Sequence, residues 1–444
     1  MRTAKGACGG VRKELGLIPR FDQLRRKEGE PMRVNVTLAL EIPDHEVSVK
    51  SIDLAVREAV PEFVSEAWQR WVRAVEEQAE RVHPAGALRV KSWEERTLWT
   101  TAGLARFRRR RFEVAGERRS LLLFDLRTGL RGWQRSTPGA ERLMAEAAAD
   151  VPGYALAARS LGRCWGEAPG AMQVWAAVQR VGCQLRRERE ALRRRVFWEG
   201  ELPGWERPAP EFLALEADST YLAAWRGRGP DHEVFVGIGY TGKQQRGRRR
   251  RLADKLVCSR LGRAEEFGQE FFAAAQQRYN LVEARCGLFM NDGDGRLRRM
   301  RQEHFPRLVP QLDWRHASCN LEEAYGPDRR ERSAALLKLL RAERHPEVCR
   351  QVREDAGRLR SRGDQLRQLA GYLEGPGQEL YGSRRLRRLG VRLPPHMEGT
   401  GGIERNIGVL VVQRMKRRGM GWTQIGAANL LAVRNALLNH SHAS

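Results

Sequence analysis

The sequence predicts an α+β fold built from several units, and three observations predict it. Apolar residues recur at helical spacing through 51–81 and 138–190. They form strand-like runs in 88–126, 211–240, 282–290 and 308–312, whereas 320–398 is polar, Arg-rich and helical with no strand signal. A chain of 444 residues is long enough for about two to four folding units, each with its own core.

Charge narrows the function classes. Lys and Arg total 80 against 55 Asp and Glu, a formal net charge of +25, which calls for a polyanionic partner. Arg carries most of the excess, and its planar fork grips phosphate oxygens in pairs, which favours nucleic acid. Part of that excess accompanies abundant Ala and Gly, as GC-rich coding would produce. A membrane is disfavoured, because no apolar run approaches the ~18 residues that span a bilayer. The opening MRTAKGACGGVRKELG also lacks the apolar stretch of a secretory signal. The expected location is therefore cytoplasmic, with the nucleoid. Seven scattered cysteines (Cys8, Cys164, Cys183, Cys258, Cys286, Cys319, Cys349) show no zinc spacing and no disulfide framework.

In chain order, residues 1–31 lack periodicity and read as a loose tail; the alternating run from Arg33 to Leu38 reads as a short strand, with Met32 as the expected true start. Leu54, Val56, Val60, Phe63, Val64, Trp68, Trp71 and Val72 outline one amphipathic helix, or two broken at Pro61. TLWTTAGLARFRRRRFEV and SLLLFDL read as strands around a Gly-Glu-Arg-Arg turn, with Arg106 and Arg108 to Arg111 as a basic stripe or a charge-protected edge. Helices around Tyr154–Arg163 and Ala171–Val181, parted by a Gly/Pro break, have the spacing of a helix-turn-helix, and a basic helix from Leu185 to Arg195 follows. WEGELPGWERPAP then reads as a linker. These readings divide the chain into a tail and short strand (1–50), a helical and β-hairpin region (51–134), a helix-turn-helix region (135–207), a core in two pieces (208–320 and 399–444) and a helical insertion (321–398).

The acids stand out within that core. Asp218 lies in an apolar strand, where a carboxylate is costly unless a cation faces it. A second strand, His232 to Tyr240, completes a hairpin. The strand ending at Met290 runs into Asn291-Asp292-Gly293-Asp294-Gly295, and another, 308–312, ends in Asp313-Trp314-Arg315-His316. Glu404 opens a late helix whose apolar side carries Ile403, Ile407, Leu410 and Val411; it either points inward across the sheet or sits solvated at the helix dipole. Basic runs follow each acid: Arg246 and Arg248 to Arg251 in a loop, Arg296, Arg298, Arg299 and Arg301 after Asp292, and Arg414, Lys416, Arg417 and Arg418 after Glu404. Trp422 either stacks on a base or is buried.

This order of parts resembles the transposases of bacterial insertion sequences in the mutator-like superfamily, in particular the Lre-type and Kra-type groups, over about residues 88–438. Its most specific stretch is GTGGIERNIGVLVVQRMKRRGMGWTQIGAANLLAVR, Gly399 to Arg434. The resemblance implies a ribonuclease-H-like catalytic domain with a helical insertion, preceded by a β-hairpin and helix-turn-helix region. It also implies a DDE triad of Asp218, Asp292 and Glu404 holding two Mg²⁺ or Mn²⁺ ions roughly 3.5 to 4 Å apart. Family members carry Asp-Gly-Ala where this chain has Asp292-Gly293-Asp294-Gly295, so Asp294 is the alternative second acid. Asp313 and His316 are auxiliary, His316 either ordering the site or being a core histidine. DNA contacts are expected from Arg246, Arg248, Arg249, Arg250, Arg251, Arg298, Arg414, Lys416, Arg417, Arg418 and Trp422. The implied partners are double-stranded DNA, both element terminal inverted repeats and target, and a second copy in a DNA-dependent homodimer. The implied reaction is metal-dependent cleavage and strand transfer; a nuclease of the same fold and a non-catalytic, domesticated DNA-binding protein are the alternatives.

Overall fold

The computed structural model describes residues 32–37, 47–117, 119–247, 249–284, 286–397 and 402–440. The tail (1–31), Arg248 and the start of the Gly399 motif lie outside them. So does Leu38, and residues 32–37 form no strand. The protein is α+β with a mixed sheet. Among the described residues no helix is long and apolar enough to cross a membrane, and Cys164, Cys183, Cys258, Cys286, Cys319 and Cys349 are free thiols.

The chain divides into two compact units, one drawn from residues up to Arg96 with Arg106–Gly132, the other from Thr97–Ala105 with Trp133 onward. In the first, α1 (Val49–Arg81) is a single helix that passes through Pro61, started by a capping box between Ser48 and Ser51. A three-stranded sheet holds β1 (Leu88–Thr100), β2 (Gly103–Val114) and β3 (Ser120–Leu122). The expected strand SLLLFDL is only β3; it turns into helix α2 (Leu123–Thr128), which buries Leu123 and Phe124. The expected basic stripe is largely neutralised. Arg109 is buried against Asp125 and Glu94, Arg110 pairs with Glu76 and Glu80, and Arg111 pairs with Glu94.

The second unit begins with α3 (Pro138–Asp150), α4 (Tyr154–Trp165) and α5 (Ala171–Phe197). The basic run Leu185–Arg195 is the second half of α5, not a separate helix. Its strands are β4 (Leu213–Leu222), β5 (His232–Tyr240), β6 (Gly242–Arg246), β7 (Arg249–Ala253), β8 (Leu256–Leu261), β9 (Gly287–Asn291) and β10 (Val309–Leu312). Five make one sheet in the order β10-β9-β4-β5-β8, while β6 and β7 form a separate hairpin where a loop was expected. β5 is antiparallel to both β4 and β8, whereas β9 is parallel to β4 and β10 to β9. Hence β4, β8, β9 and β10 all point their C-terminal ends the same way.

Helices α6 (Ala264–Tyr279) and α7 (Gly295–His304) bury one face of this sheet, packing Phe267, Phe271 and Met300 against Leu215, Phe235 and Phe289. The other face meets α13 (Ile403–Ile407), a continuous run of π-helical turns from Gly408 to Lys416, and α14 (Gln424–His440). Ile403, Ile407, Leu410 and Val411 are buried there, sharing one core with Val174, Ala177 and Val178 of α5. Between β10 and α13 come α8 (Trp314–Tyr325), α9 (Arg330–Arg341), α10 (His345–Arg358), α11 (Gly363–Glu374) and α12 (Ser383–Arg388). α8 to α11 enclose a small core of their own around Leu321, Tyr325, Leu336, Val352, Leu366 and Leu373.

The contact of α5 with α14 leaves no space at Gly182, where an added Cβ would lie 2.3 Å from the carbonyl oxygen of Asn429 and 2.6 Å from its Cα. Ala in place of Gly gains about 0.5–1 kcal/mol of helix propensity, but forcing backbone apart in a packed core costs about 1–3 kcal/mol. Gly182→Ala should therefore lose about 1 to 2 kcal/mol net in denaturant melts. Unchanged or increased stability would contradict this packing.

Candidate active site

The sheet's register builds the site. Glu216 of β4 stands opposite Met290 of β9, which stands opposite Gln311 of β10. Two residues further along three parallel strands come Asp218, Asp292 and Asp313, in one row and on one face because side chains alternate with period two. The chain leaves β9 and β10 at this row, and Asp313 N–H donates to the Asn291 carbonyl at 2.9 Å. Neighbouring strands lie about 4.8 Å apart, so the row sets Asp292 between Asp218 and Asp313, and the charges of Asp292 and Glu404 both act on Asp218.

Asp313 and His316 are not on a strand, as expected, but open α8. Asp313 caps that helix by accepting from Arg315 N–H at 3.0 Å, and His316 Nδ1 lies 3.1 Å from its second oxygen. Glu404 arrives from the opposite layer in the first turn of α13. Ligand atoms of Asp313, His316 and Glu404 lie within 4.8 Å of one another. This grouping is tighter than the expected Asp218, Asp292, Glu404 set; Asp218, Asp292, Asp313 and His316 line one small recess, and Glu404 acts on Asp218 through its charge. Glu404 Oε1 is 3.7 Å from Arg315 Nε, while its Oε2 is buried with no hydrogen-bond partner.

Electrostatics record the crowding. Burial, then the negative charge of Asp292, pushes Asp218 up to about 6; the Ser219 N–H and His316 oppose the rise and Glu404 adds to it. His316 is raised above the usual imidazole range, first by its hydrogen bond to Asp313 and then, against the cost of burial, by the charges of Asp313, Asp218 and Asp292. Asp294 is occupied elsewhere. Its Oδ1 caps α7 by accepting from Arg296 N–H at 2.6 Å, and its other oxygen pairs with the Arg296 guanidinium, which also holds Glu233. Those bonds lower its pKa against the effect of burial.

Glu216 went unnoticed as a site residue, although it lies two positions before Asp218 on the same strand face. It is 1% exposed. Tyr240 OH donates to its Oε1 at 2.5 Å and the backbone N–H of Ile403 to its Oε2 at 2.8 Å. A Cβ on Gly402 would sit 3.1 Å from Oε1. Glu216 thus ties the helix carrying Glu404 to the central strand across 187 residues. Burial, against the two hydrogen bonds, pushes its carboxyl up to about 7. Glu216→Ala leaves a buried N–H and hydroxyl without partners, at about 1–3 kcal/mol for such a group, whereas Glu216→Gln keeps an acceptor for Ile403. Thermal melts should rank wild type and Gln well above Ala; equal loss in both variants would mean that charge, not the acceptor, matters here.

The expected DNA contacts scatter. Arg250 and Arg251 are exposed on β7, paired in register with Gln245 and Gln244. The side chains of Arg246, Arg249 and Arg418 lie outside the described ones. Lys416 is exposed, and its Nζ donates to Thr220, two residues beyond Asp218 on β4, with exposed Arg417 next to it. Arg298 is half-buried and 3.4 Å from Glu379. Two expectations are corrected. Arg414 is 2% exposed, donates to the Ala148 carbonyl at 2.7 Å and lies over the rings of Tyr154 and Trp422. Trp422 is 8% exposed with its indole N–H on the Met415 carbonyl at 2.8 Å. Both are core residues: the π-helical segment turns Arg414 inward, where backbone carbonyls and ring faces replace water.

A family model described as an uncharacterised protein family, UPF0236, matches residues 43–443. No curated protein matches the sequence. Among solved structures, the strand transfer complex of the Drosophila P element transposase is 11% identical, with 71% of this chain and 82% of that one covered at a TM-score of 0.25. The crystal structure of NurA is 13% identical, with 60% and 64% covered at a TM-score of 0.11. Likenesses of this size bear no weight for fold or function.

Proposed function

The chain belongs to this uncharacterised family, and we propose that it is a DNA transposase of the DDE type with a ribonuclease-H-like catalytic domain. The strand order supports the fold reading: three antiparallel strands in sequence, then two strands parallel to the first and added on its other side. The single observation that carries the functional reading is the row Asp218, Asp292, Asp313 with Glu404 and His316 set over it.

These donors fit a hard divalent cation. They are carboxylate oxygens with one imidazole, they repel one another where they stand, and Glu404 Oε2 is buried with no protein partner. Asp218, Asp292 and Glu404 would hold Mg²⁺ or Mn²⁺, with Asp313 and His316 adjoining. Bound there, two such ions supply the Lewis acidity that activates a water or 3′-hydroxyl and stabilises the departing oxygen at phosphorus. The chain's own residues do the rest. His316 has its pKa raised by the acids around it, Lys416 and Arg417 stand where a scissile strand's phosphates would pass, and Glu216 holds Glu404's helix on the sheet. Residues 51–134 and helices α4 and α5 are the proposed recognition region for element ends, with paired ends held by a DNA-dependent homodimer.

Labelled DNA carrying the ends that flank this gene, incubated with the protein and Mg²⁺ or Mn²⁺, tests the reading. Cuts at the element boundary are expected. Binding of those ends without cutting under either ion would leave a DNA-binding protein and remove the enzyme.

A further inference from the structure

A cavity of about 940 Å³ opens beyond the edge strand β10, next to the acidic row. Gln311, Trp314, Arg315, Arg341, Tyr381 and Arg387 line it, drawn from β10, α8, α9 and the end of the insertion. Gln311 shares its row with Met290 and Glu216, so the cavity opens on the same face as the carboxylates. Arg315 reaches from it to Glu404.

The lining has a specific chemistry. Gln311 is 1% exposed, and its amide nitrogen donates to the Leu312 carbonyl at 2.9 Å. Its Oε1 has no partner, an acceptor that asks for an N–H. Trp314 and Tyr381 are half-buried rings, with the Arg385 guanidinium over the Tyr381 ring at 4.7 Å. Arg315, Arg341 and Arg387 are exposed at the rim. Aromatic surface, a buried N–H acceptor and guanidinium groups together suit a nucleobase with its phosphate. A paired base in a duplex has its faces stacked and its Watson–Crick N–H groups used; an unpaired one has both to offer.

We propose that this cavity receives one unpaired nucleotide of the DNA strand processed at the acidic row, its base against Trp314 with an N–H to Gln311 and its phosphate at the arginine rim. The proposal rests on the DNA-processing reading above. Two probes test it: a blunt duplex of the flanking end, and the same duplex with a short single-stranded tail bearing 2-aminopurine at the junction, both bound in EDTA. The tailed duplex should bind about tenfold more tightly than the blunt one, and its fluorescence should be quenched. Trp314→Ala should weaken tailed binding by about 5-fold to 100-fold, the range for one stacked base, the surface variant Arg387→Ala by about 5-fold for one charge-assisted phosphate contact, and both should leave blunt binding within about twofold. Arg387→Ala keeps the test sound if loss of Trp314 unfolds the insertion. Equal affinity for the two probes, or equal losses on both in the variants, overturns the pocket while leaving DNA processing intact. Failure of wild type to bind either duplex takes both readings down.

Discussion

Asp218→Asn should abolish DNA cutting, by about 10³-fold or more, and at the same time make the metal-free protein harder to melt. The two effects share a cause. Asp218 sits on the central strand with Asp292 beside it and Glu404 above, and burial with those charges raises its carboxyl to about 6. Keeping it ionised at pH 8 therefore costs the metal-free fold up to about 3 kcal/mol, at 1.36 kcal/mol per pKa unit. Asn retains an oxygen for the Ser219 N–H, now bonded at 2.6 Å, but removes the charge, so the fold gains stability and a divalent cation loses a ligand. Functional sites commonly trade stability in this way. Asp292→Asn and Glu404→Gln should also abolish cutting. Asp294→Asn should not, because Asp294 serves the α7 cap and Arg296. The measurement is end cleavage in Mn²⁺ beside melting in EDTA for all four variants, with end binding as a control for folding. Cutting that survives Asp292→Asn and dies with Asp294→Asn would reassign the second acid. An Asp218→Asn protein that melts lower in EDTA would remove the repulsion argument.

Strand periodicity made much of this site legible. His232–Tyr240 and Leu308–Leu312 are apolar and bounded by turn residues, and they appear as β5 and β10 within a residue. The strands from Glu211 and from Val282 were legible with looser starts: β4 begins at Leu213 and β9 at Gly287, after a 3₁₀ turn. The hairpin β6–β7 was not, because RGRRRRLA has no alternation to read; its Leu252 is the apolar residue that packs on the core. Charge runs misled for a related reason. Arg414 and Arg417 look alike in RMKRRG, yet one is buried against Tyr154, 260 residues earlier by sequence number, and the other is exposed. Arg298 likewise meets Glu379 of the insertion. No local pattern reports such partners. The Asp313, His316, Glu404 grouping also joins the start of α8, just past β10, to a helix 91 residues after Asp313, and only the sheet and its covering layer bring them together. Glu216 had a usable signal, a second acid at spacing two on an apolar strand, whose side chain must share Asp218's face.

Mn²⁺ or Mg²⁺ should stabilise the protein strongly at pH 8 and hardly at all at pH 5. Asp218 and Glu216 have folded pKa values raised to about 6 and about 7 above ordinary carboxyl values of 3.8 and 4.5. A carboxyl raised in the folded state contributes stability that is complete below its unfolded pKa and lost as pH climbs through the folded one. His316, also raised, loses its contribution in the same direction, between its ordinary 6.5 and its higher folded value. All three signs agree, so the metal-free protein should weaken from about pH 4 upward and be most strained above pH 7. A divalent cation reverses the Asp218 part of this, since the ionised Asp218 would become one of its ligands, and binding is linked to proton release. At 100 times its Kd a ligand adds about 2.7 kcal/mol, which for the unit of roughly 320 residues that holds the site is a rise in Tm of about 4 °C. At pH 5, protons compete for the same oxygens and the rise should fall to about 1 °C. Differential scanning fluorimetry across pH 5 to 8, in EDTA and in Mn²⁺, measures it directly. Ca²⁺ serves as a second hard ion, and Asp218→Asn and Glu404→Gln as site controls. A shift that is the same at both pH values, or that persists undiminished in both variants, would place the bound cation somewhere other than this acidic row.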